Sequence, residues 1–187
     1  MIKKYYWTVL LVIVGFSFSN AQRFIPKKKG IEVNFGVSST SKIGHDYYTN
    51  LGFTINGKNG NYLLWALEYT HEYDSYKNTL IPHETYTIEG GHSFLLLSDS
   101  RKNIILNLAL TALAGYESFN RGITLLDDGA KILNEEKFIY GTGGRLSVEI
   151  YLTDYLVFLL QGRTKMIWGT DLQQFQPSVG FGLRYNL

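Results

Sequence analysis

The chain of 187 residues contains no cysteine, only three prolines and little net charge. Without cysteine there are no disulfides, no thiolate metal sites, no cysteine nucleophile and no lipid-modified cysteine behind an export signal. A formal net charge of +2 includes Lys3 and Lys4; without those two, 16 basic residues face 16 acidic ones. A neutral chain is a poor nucleic-acid binder, so direct DNA or RNA contact is not expected. Long apolar runs are also missing. The longest, residues 7–18, falls short of the roughly 20 residues a membrane-spanning helix needs.

That short run follows Lys3 and Lys4 and precedes Ser19-Asn20-Ala21, the small residues a signal peptidase reads. Residues 1–21 are therefore expected to be a cleaved secretory signal, and 22–30 a basic leader in the periplasm. The remaining length suits one domain, spanning 31–187. Fourteen Tyr, eleven Phe and nineteen Gly fit aromatic girdles and closely packed strands better than helices.

The chain finishes on strict alternation. Val179, Phe181, Leu183, Tyr185 and Leu187 share one face of a strand, and Gly180, Gly182, Arg184 and Asn186 share the other. One face suits lipid, the other a polar lumen. Seven earlier segments read as strands: 31–38, 48–56, 62–73, 83–95, 104–117, 137–152 and 155–168, with 175–187 the eighth. Their lengths match tilted membrane strands. Three connections, near 57–61, 98–102 and 153–154, are tight turns. The alternate ones, 39–47, 74–82, 118–136 and 169–174, are mostly longer. Short turns on the side of the termini and longer loops opposite are the pattern of an outer-membrane barrel with periplasmic termini. The expected fold is all-β: an eight-stranded antiparallel up-and-down transmembrane β-barrel of outer-membrane type, its last strand closing on 31–38.

Strand faces sharpen this reading. Leu106, Leu108 and Leu110 point to lipid while Asn107, Ala109 and Thr111 point inward. The inner face collects Glu32, Glu68, Glu89, Arg145, Glu149, Arg163 and Arg184. An eight-stranded barrel is only wide enough for its side chains to fill, and buried charges must be paired. These seven residues are expected to form one network that plugs the lumen, with Arg184 near Glu32; a charge-lined pore would need more strands.

Chemistry is sparse. Glu89, His92 and Ser93 are the nearest approach to a lipid-modifying site, but His92 and Ser93 fall on opposite faces of one strand. Of the four histidines, only His71 and His83, flanking one loop, could meet around a metal. Asp127 and Asp128 lack the spaced oxygen ligands of a calcium loop. No catalytic residue, metal or cofactor is expected. Ile123, Leu125, Leu126, Ile132 and Leu133 make the 118–136 loop apolar enough to fold over the barrel mouth, with one helical turn, or to dock a protein.

Several short motifs, in order, resemble one family. They are P-K-K-K-G-I-E-V at 26–33, Y-K-N-T-L-I-P at 76–82, E-G-G at 89–91 with Phe94, Leu95 and L-S-D at 97–99, A-L-A-G-Y-E at 112–117, F-I-Y-G at 138–141, and Trp168-Gly169. In this arrangement the chain resembles the TraO proteins of Bacteroidetes conjugative transposons. The resemblance implies an outer-membrane component of a conjugation apparatus related to type IV secretion. Its partners would be outer-membrane lipid and other proteins of that apparatus, in a structural or docking role. It supplies no catalytic residues. A general small barrel of the adhesion or membrane-integrity kind stands as the alternative, and a lipid-modifying barrel as a third.

Overall fold

The computed structural model describes residues 25–38, 46–77, 79–122, 130–132 and 136–187. The proposed signal and much of the 118–136 loop, with Asp127 and Asp128, lie outside these residues. Eight strands, β1 (Lys29–Ser38), β2 (Tyr47–Asn56), β3 (Tyr62–Tyr76), β4 (Thr79–Ser98), β5 (Ile104–Phe119), β6 (Lys137–Tyr151), β7 (Leu156–Trp168) and β8 (Phe175–Asn186), run in sequence order around a closed antiparallel barrel. Closure leaves no barrel edge to template pairing. At the seam, Glu32 stands opposite Arg184 and Phe35 opposite Phe181.

Burial alternates with the sequence pattern. In β1, Gly30, Glu32 and Asn34 are buried while Ile31, Val33 and Phe35 are exposed. The exposed set continues around the wall through Leu51, Trp65, Leu67, Ile88, Leu110, Leu160 and Leu183. Such a continuous apolar wall is untenable in water and fits a hydrocarbon surround. Near the loop end, one register row carries Tyr69, Tyr86, Tyr116 and Phe138 across β3 to β6. At the terminal end Tyr155 stacks on Tyr185, with centroids 6.3 Å apart. These rows are the two amphipathic girdles that the aromatic content implied.

Two segments depart from expectation. The 74–82 connection is not a long loop: β3 continues to Tyr76 and β4 resumes at Thr79, paired up to Tyr76 opposite Thr79. Its polar composition read as a loop, but the cross-strand ladder holds it extended. Lys77 in the turn has a positive φ of 53°. Leading toward it, β3 outruns β2, whose pairing stops at Tyr47 opposite His71, so the hairpin projects beyond the barrel wall. The Asp46 carboxylate accepts the backbone N–H of Tyr73 at 3.0 Å on the β3 edge beyond that pairing. At the opposite end β4 runs past Leu95 to Ser98, through a register shift between Leu95 and Leu97. The extra residue of this bulge keeps both Leu96 and Leu97 exposed.

Candidate functional site: the charged lumen

The lumen is layered. At the terminal end Ile105, Tyr151, Val157 and Leu159 form a buried apolar floor, with Leu95 packed against it. A second apolar group, Leu113, Ile139 and Ile167, lines the wall near the loops. Between them lie the charges. Inward placement follows from period-2 alternation, which puts Arg145, Ser147 and Glu149 on the buried face of β6 and Gln161, Arg163 and Lys165 on that of β7.

In place of one network of seven residues, the structure gathers those seven and Lys165 into two balanced clusters. Nearer the terminal end, Arg184 donates through Nε to Glu32 at 3.0 Å and through Nη1 to Glu149 at 2.9 Å. Arg145 donates to the other Glu32 oxygen at 2.7 Å. The Tyr62 hydroxyl accepts from Arg184 at 2.9 Å and Arg145 at 3.1 Å, and donates to Glu149 at 2.7 Å. Nearer the loops, Arg163 pairs with Glu68 and, at 3.0 Å, with Glu89. Lys165 pairs with Glu68 and, at 2.8 Å, with Glu89. Each cluster holds two carboxylates and two cations, so each is neutral as a unit. That is the condition under which buried charge is tolerated.

A polar chain joins the clusters. Asn34 donates to Glu32 at 3.2 Å and to Asn50 at 3.0 Å, and Asn50 donates to Glu68 at 3.2 Å. Gln161 reaches across to Asn34 at 2.9 Å. Arg184 lies 4.5 Å over the Tyr62 ring and Arg163 lies 4.7 Å over Tyr48. Space for these long side chains comes from lumen-facing glycines. A Cβ on Gly52 would run into the Glu32 side chain, and one on Gly182 into Asn34.

Lys165 completes the second cluster, although it was not among the seven residues expected from the sequence. The signal was there, since four carboxylates, Glu32, Glu68, Glu89 and Glu149, faced only three arginines until Lys165 was counted. Tyr62, Asn34 and Asn50 were missed because neutral polar residues on a buried face carry no charge to be balanced. Above the clusters, His83 is buried between two further carboxylates, its Nδ1 3.7 Å from Glu72 and its Nε2 3.6 Å from Glu117, with Phe119 stacked on the ring at 4.6 Å.

His71 and His83 do not meet. His83 faces inward with Glu72, whereas His71 lies among Tyr47, Tyr69 and Tyr73 on the outer side, 3.8 Å from Glu84. Among the described residues no group of three or more His, Asp or Glu is arranged to hold a metal. His92 and Ser93 are separated by the wall as well. Ser93 is fully buried in the lumen, while the His92 ring packs edge-on to Phe94 at 4.5 Å on the outside.

Outside the lumen, the loop end is tied by polar staples. Glu136 accepts hydrogen bonds from the Tyr116 hydroxyl at 2.7 Å and from Ser118 at 2.9 Å, and these hold its carboxyl below the usual range. Lys137 bridges to Asp171 at 2.6 Å, linking the segments that lead into β6 and β8. The described part of the 118–136 loop contains one 3₁₀ turn, Asn120–Gly122; Ile123, Leu125, Leu126 and Leu133 lie outside the described residues.

Solved structures share this fold at low identity. Neisserial surface protein A matches with a TM-score of 0.60 at 14% identity, over 86% of this chain and 97% of its own. Ail, the attachment invasion locus protein of Yersinia pestis, solved with the heparin analogue sucrose octasulfate, matches with a TM-score of 0.57 at 13% identity, over 87% and 100%. The N-terminal β-barrel domain of Pseudomonas aeruginosa OprF matches at 0.55 and 10% identity, over 87% and 98%. These likenesses establish the outer-membrane type of barrel. No curated protein matches the sequence. The family described as conjugative transposon protein TraO matches residues 25–187, essentially the whole barrel. With this fold, this lumen and that match, the chain belongs to the TraO family of conjugative transposon proteins.

Proposed function

We propose that this protein sits in the outer membrane with both termini in the periplasm and serves as a structural or docking component of a conjugative transposon's DNA-transfer apparatus, of type IV secretion kind. The observation that carries the reading is the filled lumen. Two neutral ion clusters, above an apolar floor at the terminal end, occupy the space through which a strand of DNA would have to pass. The barrel is therefore an anchor and not the conduit. Its apolar wall supports residence in lipid, and the short turns at the end bearing the termini support the periplasmic orientation. The loop end, with the projecting β3–β4 hairpin and the Glu136 and Lys137 staples, then faces outward as the contact surface. No step of this role needs catalysis.

Deleting the gene from a donor strain and counting recipients that acquire the transposon tests the role. Transfer is expected to collapse and to return on complementation. Undiminished transfer would instead support a general small barrel unrelated to conjugation. Membrane residence is checked separately by mobility on a gel with and without boiling after outer-membrane extraction; a chain that runs alike in both is not a folded barrel of this kind.

A further inference from the structure

We propose that the outer wall carries a binding site for an anionic phospholipid at the terminal end of the β1–β8 seam, with Lys28 and Lys29 taking the phosphate and Tyr155 and Tyr185 flanking the glycerol. The proposal rests on the orientation given above, which puts this end in the periplasmic leaflet.

Lys29 opens β1 on the exposed face shared by Ile31 and Val33. Its neighbour Gly30 points the other way, into the lumen beside Thr54, Asn186 and Arg184. Lys29 thus continues the lipid-facing wall and does not line the lumen mouth. Lys28 lies with Nζ 4.8 Å over the Tyr155 ring and 3.4 Å from the Asp154 carbonyl. Tyr155 in turn stacks on Tyr185, whose register partner is Ile31. Two cations, two stacked rings and an apolar surface are therefore contiguous on one patch. An amphiphile with a negative head matches this order from charge to aromatic to apolar.

The backbone around the patch is pinned. The N–H of Lys27 bonds to the Asn56 carbonyl at 2.7 Å, and the Asn56 N–H to the Lys28 carbonyl at 2.8 Å. On the other side the Leu187 N–H bonds to the Lys29 carbonyl at 2.8 Å, and the Asn186 N–H to that of Tyr155 at 2.7 Å. The lysines are held at the wall and are not part of a loose tail, so little backbone freedom is lost on binding. The surroundings reinforce the sign. Lys27, Lys58, Arg101 and Lys102 are exposed at the same end. Two aspartates lie at this end: Asp99 is engaged by the backbone N–H groups of its own turn, at Arg101, Asn103 and Ile104, and Asp154, next to Tyr155, leaves the two lysines and Lys27 in excess. An acidic protein segment would satisfy the lysines but leave Tyr185 and Ile31 unused; a phospholipid meets both.

The test is lipid retention by the folded full barrel. The protein is reconstituted with equal phosphatidylglycerol and phosphatidylcholine, extracted in mild neutral detergent, and its bound lipids are counted by native mass spectrometry. Two lysines near an anionic headgroup predict retention of phosphatidylglycerol over phosphatidylcholine by about thirtyfold. The double variant K28Q/K29Q is expected to lose that preference while keeping its boiling-dependent mobility, and K58Q/K102Q, which removes equal charge elsewhere on the rim, is expected to keep it. Equal retention of the two lipids by the wild type overturns the proposal, as does equal loss in both double variants, which would mean diffuse attraction without a site. Donors carrying K28Q/K29Q that fail in transfer while the barrel keeps its lipid preference would assign the lysines to a protein partner, again overturning it. The conjugation role fails or stands separately, on the gene deletion: a barrel dispensable for transfer can still retain phosphatidylglycerol.

Discussion

Replacing Glu32 by Gln is the most direct challenge to a lumen held by balanced charge. Glu32 is fully buried and takes an ion pair from Arg145 at 2.7 Å and another from Arg184 at 2.9 Å. Glutamine preserves its shape but leaves Glu149 alone against two guanidinium groups. Arg184 keeps Glu149, while Arg145 is left with the Tyr62 hydroxyl. Stranding one buried cation costs about 3–5 kcal/mol. Adding Arg145→Gln restores one carboxylate against one cation, so the double variant is expected to be more stable than E32Q alone. The assay is urea unfolding of the barrel in phospholipid vesicles, followed by the fluorescence of Trp65 and Trp168 and by mobility without boiling. If E32Q unfolds within about 1 kcal/mol of the wild type, or if the two substitutions simply add, the charges are not coupled as the geometry requires.

Two further substitutions test the walls. Leu108→Arg places a charge on the lipid side at mid-strand and is expected to cost about 2–4 kcal/mol in vesicles, whereas Thr111→Ser, on the lumen side of the same strand, is expected to stay within about 0.5 kcal/mol. Equal effects would invert the face assignment. Gly52→Ala presses a methyl group into the Glu32 side chain, so the same unfolding assay is expected to show a loss of about 1–3 kcal/mol. In the E32Q background this loss should change, because both substitutions act on one side chain; strict additivity would count against the crowding.

The charge network shows how far local reading reaches. Alternation along β1, β6, β7 and β8 is enough to say that Glu32, Arg145, Glu149, Arg163 and Arg184 share the inner face, because successive side chains on a strand point to opposite sides whatever the strand pairs with. Closing the last strand on the first adds that Arg184 lies near Glu32, but neither says which of the other carboxylates meets which cation. Arg145 lies 113 residues from Glu32, and their 2.7 Å contact crosses the lumen. Only closure of the barrel, with the register of all eight strand pairs, sets that distance.

Elsewhere the same division holds. Strand number, lipid and lumen faces, and the turns near 57–61 and 153–154 follow from period-2 patterning and turn chemistry, which are local. The hairpin that carries 74–82 as strand was illegible for the opposite reason. Its residues do not alternate cleanly and are held extended by ladder bonds to each other. The lysine patch is likewise split: the basic run at 27–29 is plain in the sequence, yet Tyr155 reaches Lys28 only because the seam brings β7, β8 and β1 together. The sequence by itself determined a barrel with an apolar outside and a charged inside, since each residue's face depends only on its neighbours. Beyond Arg184 and Glu32 at the seam, tertiary structure alone decided the partners, since a pair's separation across a closed sheet depends on the register of every strand between them.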